Sequence, residues 1–162
     1  MHFWLVAEVL VLLALANGTP VITKNILGDR LATPLDAGTK FVDGRPLFGS
    51  SKTVRGIFLS ILVTSACAPL VTLSWRIGAL VAGVAMAGDL FSSFIKRRLN
   101  LHAGERATGL DQVPESLFPL LACRSRLPLT ALDIVVAVVI FFVGEMILSR
   151  LLYRFRLRDH PY

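Results

Sequence analysis

IGALVAGVAMAGDLFSSFIKRR, residues 77–98, decides the fold. Its first half is small and apolar, and its second half carries Asp89, Ser92, Ser93 and Lys96. At helical pitch these four residues fall at i, i+3, i+4 and i+7, on one face. The run is also long enough for a bilayer core, which takes about 20 mostly apolar residues to cross. A charged side chain is costly in lipid, so the polar stripe predicts a membrane helix whose Asp89 face is turned toward protein or water and does a job there.

The rest of the chain agrees with a membrane helix. Of its 162 residues 54% are hydrophobic, and the mean hydropathy is +0.67. A soluble domain has roughly 45–50% apolar residues. The expected fold is an all-α integral membrane protein, a single membrane-embedded domain over 1–162, with no internal repeat or low-complexity tract. Five membrane segments are expected, at 2–22, 56–74, 77–95, 112–123 and 129–152. The first is expected to break at Asn17-Gly18-Thr19-Pro20. The fourth is short for a span and is expected to lie tilted or half-buried against protein. A long polar loop, 23–55, joins the first two. Residues 1–16 read as a retained helix: MHFW has no Lys or Arg, and Glu8 interrupts the apolar run that a signal peptide would need.

Charge sets the expected orientation. Lys24, Arg30, Lys40, Arg45, Lys52 and Arg55 precede the second segment. Lys96, Arg97, Arg98 and Arg106 follow the third, and Arg150, Arg154, Arg156 and Arg158 close the chain. These are fourteen of the 17 basic residues, and only Arg76, Arg124 and Arg126 fall on the other side. The positive-inside rule then places the N-terminus outside and the C-terminus and loop 23–55 in the cytoplasm. The net charge of +6 suits anionic headgroups or phosphate ligands at that face. Charge that flanks spans, without a DNA-reading motif, excludes nucleic acid as a partner. Cys67 and Cys123 are expected as free thiols, and no Cys/His spacing suits a metal.

Two acids flank the same boundary: Asp89, and Asp111 in GLDQVPES, 109–116. Two readings of them fit. In one they hold a hard cation such as Mg²⁺, which takes one or two carboxylates and completes its shell with water and substrate phosphates. In the other, Asp89 pairs with Lys96 or Arg97, and Asp111 caps the next helix, with Pro114 in its first turn. LFGSSKTVRG, 47–56, puts Lys52, Thr53 and Arg55 at a helix start. It is not a P-loop, which needs Gly directly before Lys. It suits either a phosphate or a juxtamembrane anchor. Lys96 shares the Asp89 face, while stop-transfer charge accounts for Arg98. Asn17 offers a ligand hydrogen bond or a packed kink. DAGTKFVDGRP, 36–46, has two turn signals and reads as a solvated loop from which Lys40 and Arg45 could reach a phosphate. Glu8, Asp133 and Glu145 read as interhelical pairing residues. His2, His102 and His160 carry no expected role.

GDLFSSFIKRR followed by GLDQVPES resembles the CTP-dependent phosphatidate cytidylyltransferase superfamily. With ANGTP and KFVDGRPLFGSSKTVRG the chain is similar to its archaeal CDP-archaeol synthase branch. It departs from the bacterial signature, which has a Lys-Asp pair and a His-Gly-Gly in the loop and an Arg after the second Asp. Here the loop reads HAGERATG, and Gln112 follows Asp111. The resemblance implies a Mg²⁺-dependent enzyme of the cell membrane, with its active site facing the cytoplasm. CTP and digeranylgeranylglyceryl phosphate, an archaeal lipid phosphate, would give a CDP-lipid and pyrophosphate. It implies that Asp89 and Asp111 hold metal and, with Lys96, act as catalytic residues. Lys40, Lys52, Arg55, Lys96 and Arg97 would neutralise phosphates, and Asn17, Thr53 and Ser93 would add neutral hydrogen bonds. A CDP-alcohol phosphotransferase needs an aspartate array that is absent. The remaining rival is a small transporter or binding protein for an anionic phosphate ligand. That would place the polar cluster near the midplane rather than at one edge.

Overall fold

The computed structural model describes residues 2–102, 105 and 107–154. Arg106, Arg156, Arg158 and His160 lie outside them. The described chain is helical: α1 is Phe3–Leu27, α2 Val54–Cys67 running into a 3-10 turn at Ala68–Val71, α3 Trp75–Arg98, α4 Gln112–Cys123 and α5 Ala131–Arg154. Four of these stretches are long and apolar enough to cross a membrane: 3–27, 54–71, 75–98 and 131–150. Helix α4, at 12 residues, is not. The expected fourth segment is therefore a short helix packed in the bundle.

Helix α1 does not break at ANGTP, contrary to expectation, and runs on to Leu27 before Gly28 ends it at a positive φ of 52°. The polar side chains turn back onto their own helix. Asn17 Nδ2 donates to Leu13 O at 3.1 Å and Thr19 Oγ1 to Leu15 O at 2.6 Å. Pro20 has no N–H for the carbonyl of Ala16. Ser60 of α2 supplies the missing donor, Oγ to Ala16 O at 2.7 Å. A proline that would kink a lone helix is thus satisfied by its neighbour.

The bundle closes on α1 and α3. Val9, Leu12, Leu13 and Ala16 of α1 meet Val81, Ala82 and Ala85 of α3, all fully buried. Phe58 and Leu62 of α2 and Leu132, Val135, Val139 and Ile147 of α5 are exposed, a surface suited to lipid. Two glycines permit close helix contact. A Cβ on Gly78 would lie 2.7 Å from Thr64 O, and one on Gly88 would lie 2.4 Å from Pro114 O. Helix α1 starts beside the start of α5. His2 N and Nδ1 reach the Asp133 carboxylate at 3.0 and 3.1 Å, and Asp133 also accepts from Thr130 N and Oγ1. Glu8 accepts from Thr72 Oγ1 at 2.7 Å. The pairing expected of these two acids is therefore present, although Asp133 also closes a capping box at its own helix start.

Candidate active site

The polar end of α3 is where the loop 28–53 folds back onto the bundle. Asp36 organises that loop. Its carboxylate accepts from the backbone N–H of Gly38, Phe48 and Gly49 at 3.1, 3.0 and 2.8 Å. Burial on its own would raise the Asp36 pKa, but these three N–H groups outweigh it and hold the carboxyl below the usual range. The chain leaving Gly49 is pinned by Leu35 N to Lys52 O at 2.7 Å. Thr53 then caps α2, its Oγ1 accepting from Gly56 N at 3.2 Å. This frame aims Lys52 at α3.

Lys52 Nζ donates to both oxygens of Asp89, at 2.5 and 2.6 Å. Burial opposes the ammonium charge, but the Asp89 carboxylate outweighs it and raises the Lys52 pKa. Lys52 therefore stays charged throughout the physiological range. Glu115 is buried in the first turn of α4 and faces the same cavity. Together they line this cavity, of about 260 Å³, with Asn17, Thr53, Arg55 and Glu145. Val21, Ile57, Met86 and Leu90 give this cavity an apolar wall. Arg55 lies at its rim, donating to the carbonyls of Arg30 and, at 3.0 Å, Gly28.

A second ion pair stands beside the first. Lys96 Nζ lies 2.7 Å from Asp111 Oδ1 and donates to Glu105 O at 3.1 Å. The two pairs feel each other's charge, Lys96 acting on Asp89 and Asp111 on Lys52. Ser92 Oγ donates to Leu110 O at 2.7 Å and draws the approach to α4 onto α3. Ser93 is buried on the same stripe. Arg97 donates to Leu101 O and His102 O at 2.5 and 3.0 Å, folding the turn after α3. It lines a separate cavity of about 460 Å³ with Asp36, Arg45, Asn100 and His102. Ser50 borders both cavities.

The structure thus brings Asn17, Lys52, Thr53, Arg55 and Asp89 to one cavity and sets Lys96 with Asp111 next to it. Arg97 faces the second cavity. Lys40 is exposed on a hairpin closed by a bridge to Pro46 and borders neither cavity. The expected Asp89 pair with Lys96 or Arg97 is not the one formed, because Lys52 arrives from the loop. Asp111 does not cap α4. Its φ of −77° and ψ of −54° are already helical and its side chain makes no cap bond. The Gly109 N–H is instead taken by Gln112 Oε1 at 2.7 Å.

Arg98, read from sequence as stop-transfer charge, is a latch. It pairs with Asp43 Oδ1 at 3.0 Å, donates to Pro46 O at 2.6 Å and lies over the rings of Phe41 and Phe94. Arg45 answers by donating to the Arg98 carbonyl. Glu115 was missed altogether. Its signal was an acid four residues after Asp111, on the same face of a helix start.

Among the described residues no three His, Cys, Asp or Glu side chains form a metal-binding group. The candidate donors are two carboxylates, Asp89 and Asp111, each already matched to an ammonium group at 2.5 and 2.7 Å. Carboxylate oxygens are the donor type a hard cation takes, with phosphate oxygens and water completing its shell.

The family model described as CarS-like, CDP-archaeol synthase, matches residues 71–162. The CDP-archaeol synthase of Sulfurisphaera tokodaii is 34% identical over 153 residues, covering 91% of this chain and 89% of that protein. That of Pyrococcus furiosus is 42% identical over 107 residues, 60% of each chain. A solved structure described as an intramembrane enzyme for archaeal membrane lipid biosynthesis aligns with a TM-score of 0.72 at 27% identity, over 86% of this chain and 91% of that one.

Proposed function

This chain belongs to the CDP-archaeol synthase family, and from that membership we propose that it transfers CMP from CTP to the phosphate of digeranylgeranylglyceryl phosphate, releasing pyrophosphate. An oxygen of the lipid phosphate attacks the α-phosphorus of CTP. The bond from that phosphorus to the bridging oxygen breaks, and pyrophosphate leaves with the electron pair. No strong base is required, since a phosphate monoester is already anionic at neutral pH. What the protein must supply is positioning and charge neutralisation.

Lys52, backed by Lys96, would meet phosphate oxygens. The N–H groups at the start of α2 and the Thr53 cap add neutral donors. The apolar wall of Val21, Ile57, Met86 and Leu90 suits the lipid chains next to that headgroup. Asp89 and Asp111 would hold Mg²⁺, which in such transfers neutralises the triphosphate and the developing charge on the leaving group. In this reading the N-terminus is outside, the C-terminus is cytoplasmic and the cavity opens to the cytoplasm. By sequence, fourteen of the 17 basic residues fall in the segments on the side of loop 23–55, and this supports that orientation.

The carrying observation is the Lys52–Asp89 pair in a cavity with one polar and one apolar wall, at one end of the helices. A transporter site would be reachable from both ends of the bundle, and the position of this cluster favours the enzyme. The test is purified protein with labelled CTP, the lipid phosphate and Mg²⁺. A CDP-lipid with stoichiometric pyrophosphate is expected. CTP left intact, with the lipid phosphate moved across a vesicle membrane, would establish the transporter instead.

A further inference from the structure

Among the described residues, polar side chains tie loop 28–53 to α3 at two places. One is Lys52 on Asp89, in the smaller cavity. The other lies at the end of α3, about 14 Å further along the helix at 1.5 Å per residue. There Arg45 of the hairpin donates to the carbonyls of Arg97 and Arg98. Carbonyls in the last turn of a helix are short of donors, so they are free to accept. Arg98 answers from α3. It pairs with Asp43 at 3.0 Å and donates to Pro46 O at 2.6 Å. Its guanidinium also lies 4.8 and 4.9 Å from the rings of Phe41 and Phe94, which meet edge to face at 5.3 Å. Each arginine thus grips the backbone of the other's segment. The grip is passed on to Lys52 by backbone bonds. Leu47 N to Thr39 O closes the hairpin at 3.0 Å, Asp36 holds Phe48 and Gly49, and Lys52 N donates to Gly49 O at 3.3 Å.

A nucleotide acts differently on the two ties. Phosphate oxygens that meet Lys52, and a cation held by Asp89, compete with the bond between them. Phe41, Asp43, Arg45 and Arg98 do not border that cavity, so the second tie is untouched. We propose that the Arg45–Arg98 clasp is the attachment that keeps the Lys52 segment on α3 while a nucleotide occupies the cavity, which makes Arg98 a positioning residue for nucleotide binding. The inference rests on CTP binding at Lys52 and Asp89, as argued above. A simpler role exists. A basic residue at the cytoplasmic end of a span sets orientation, and lysine serves there as well as arginine. The clasp needs the planar fork, which bonds Asp43 and Pro46 while lying against two rings.

The experiment compares Arg98→Lys, Arg98→Ala and, as a control on the same hairpin, Val42→Ser with the parent protein. Val42 is 95% exposed and takes no part in the clasp. Equilibrium binding of labelled CTP with Mg²⁺ is measured, together with tryptic cleavage after Lys40 with and without CTP. Arg98→Lys and Arg98→Ala are both expected to bind CTP roughly tenfold more weakly, the size of a lost charge-assisted contact, and Val42→Ser to bind as the parent does. Affinity falls because the loaded state depends on the clasp more than the free state does. In turnover the loss should appear in KM for CTP rather than in kcat. Saturating CTP should speed cleavage after Lys40 in the two Arg98 variants and not in the parent. Parent affinity in Arg98→Lys overturns the proposal in favour of charge alone. Parent affinity in both variants, or a hairpin that CTP protects in both, overturns it outright. If the alanine protein does not fold, the lysine protein decides. Failure of the underlying site reading shows separately, as a Lys52→Ala protein that binds CTP as tightly as the parent.

Discussion

In Asp89→Asn the ammonium of Lys52 keeps its place but loses the charge that holds it there. Breaking a fully buried pair costs about 3–5 kcal/mol. Here the two side chains are 21% and 18% exposed, so part of that cost is relieved by water. Asp89→Asn is therefore expected to lower the melting temperature and abolish turnover. Adding Lys52→Met should recover the melting temperature without recovering turnover. Thermal unfolding in detergent beside the CTP assay separates the two effects, and an active double mutant would show that the pair is structural only. The basic residues should likewise divide by position. Lys52→Ala and Lys96→Ala remove charge-assisted contacts worth roughly 1.5–3 kcal/mol, about tenfold in rate or more. Lys40→Ala, on the exposed hairpin, should leave kcat/KM unchanged. Equal losses from all three would reduce the basic residues to a membrane anchor. Asp89 and Lys96 were legible at helical spacing, and Lys52 and Asp111 as charged residues at segment boundaries. Their partners were not, because Lys52 and Asp89 are 37 residues apart and meet only once the loop has folded.

At the scale of the helices, the two packed glycines make a matched pair. Gly78→Ala would press on Thr64 O and Ala68 Cβ, at 2.7 and 2.8 Å, far from the cavity. Gly88→Ala would press on the backbone of Pro114 and Glu115 beside it. Overpacking of this kind costs about 1–3 kcal/mol. Both proteins should melt earlier, but only Gly88→Ala should lose activity out of proportion to its stability. Similar activity in both would detach Gly88 from the site. The Pro20–Ser60 arrangement offers a cleaner cycle. Ser60→Ala leaves the buried Ala16 carbonyl without its donor, a loss of roughly 1–3 kcal/mol. Pro20→Ala restores an intrahelical N–H to that carbonyl, so Ser60→Ala should cost much less in the Pro20→Ala background. Equal costs in the two backgrounds would mean that Ser60 does not support α1. This is also why α1 was misjudged as broken. ANGTP reads as a break from local propensity, and the group that repairs it comes from another helix.

For the whole molecule, cysteines introduced at positions 40 and 76 should label from opposite faces of a sealed vesicle, with 40 on the cytoplasmic side. Labelling of both from one side would overturn the proposed topology. The loop that completes the site should fail in acid. Asp36 has a folded pKa below its unfolded value, so its contribution to stability is present above about pH 4, the ordinary aspartate range, and is lost as pH falls through the lower folded value. Proteolysis of the 28–53 loop should therefore rise as the pH drops below that range, and Asp36→Asn should be cut readily at all pH values. A pH-independent cleavage rate in the parent would remove Asp36 from that role. The sequence by itself determined the helical membrane class, four long helices and the short α4, and the polar stripe of α3, because hydropathy and the 3.6-residue period act along the chain. Only the tertiary structure decided that Lys52 rather than Lys96 neutralises Asp89, that Arg98 latches the hairpin, that Lys40 stays outside, and that Glu115 stands at the site. Each of these depends on how closely two backbones approach, and that distance is set by packing between segments that no local pattern connects.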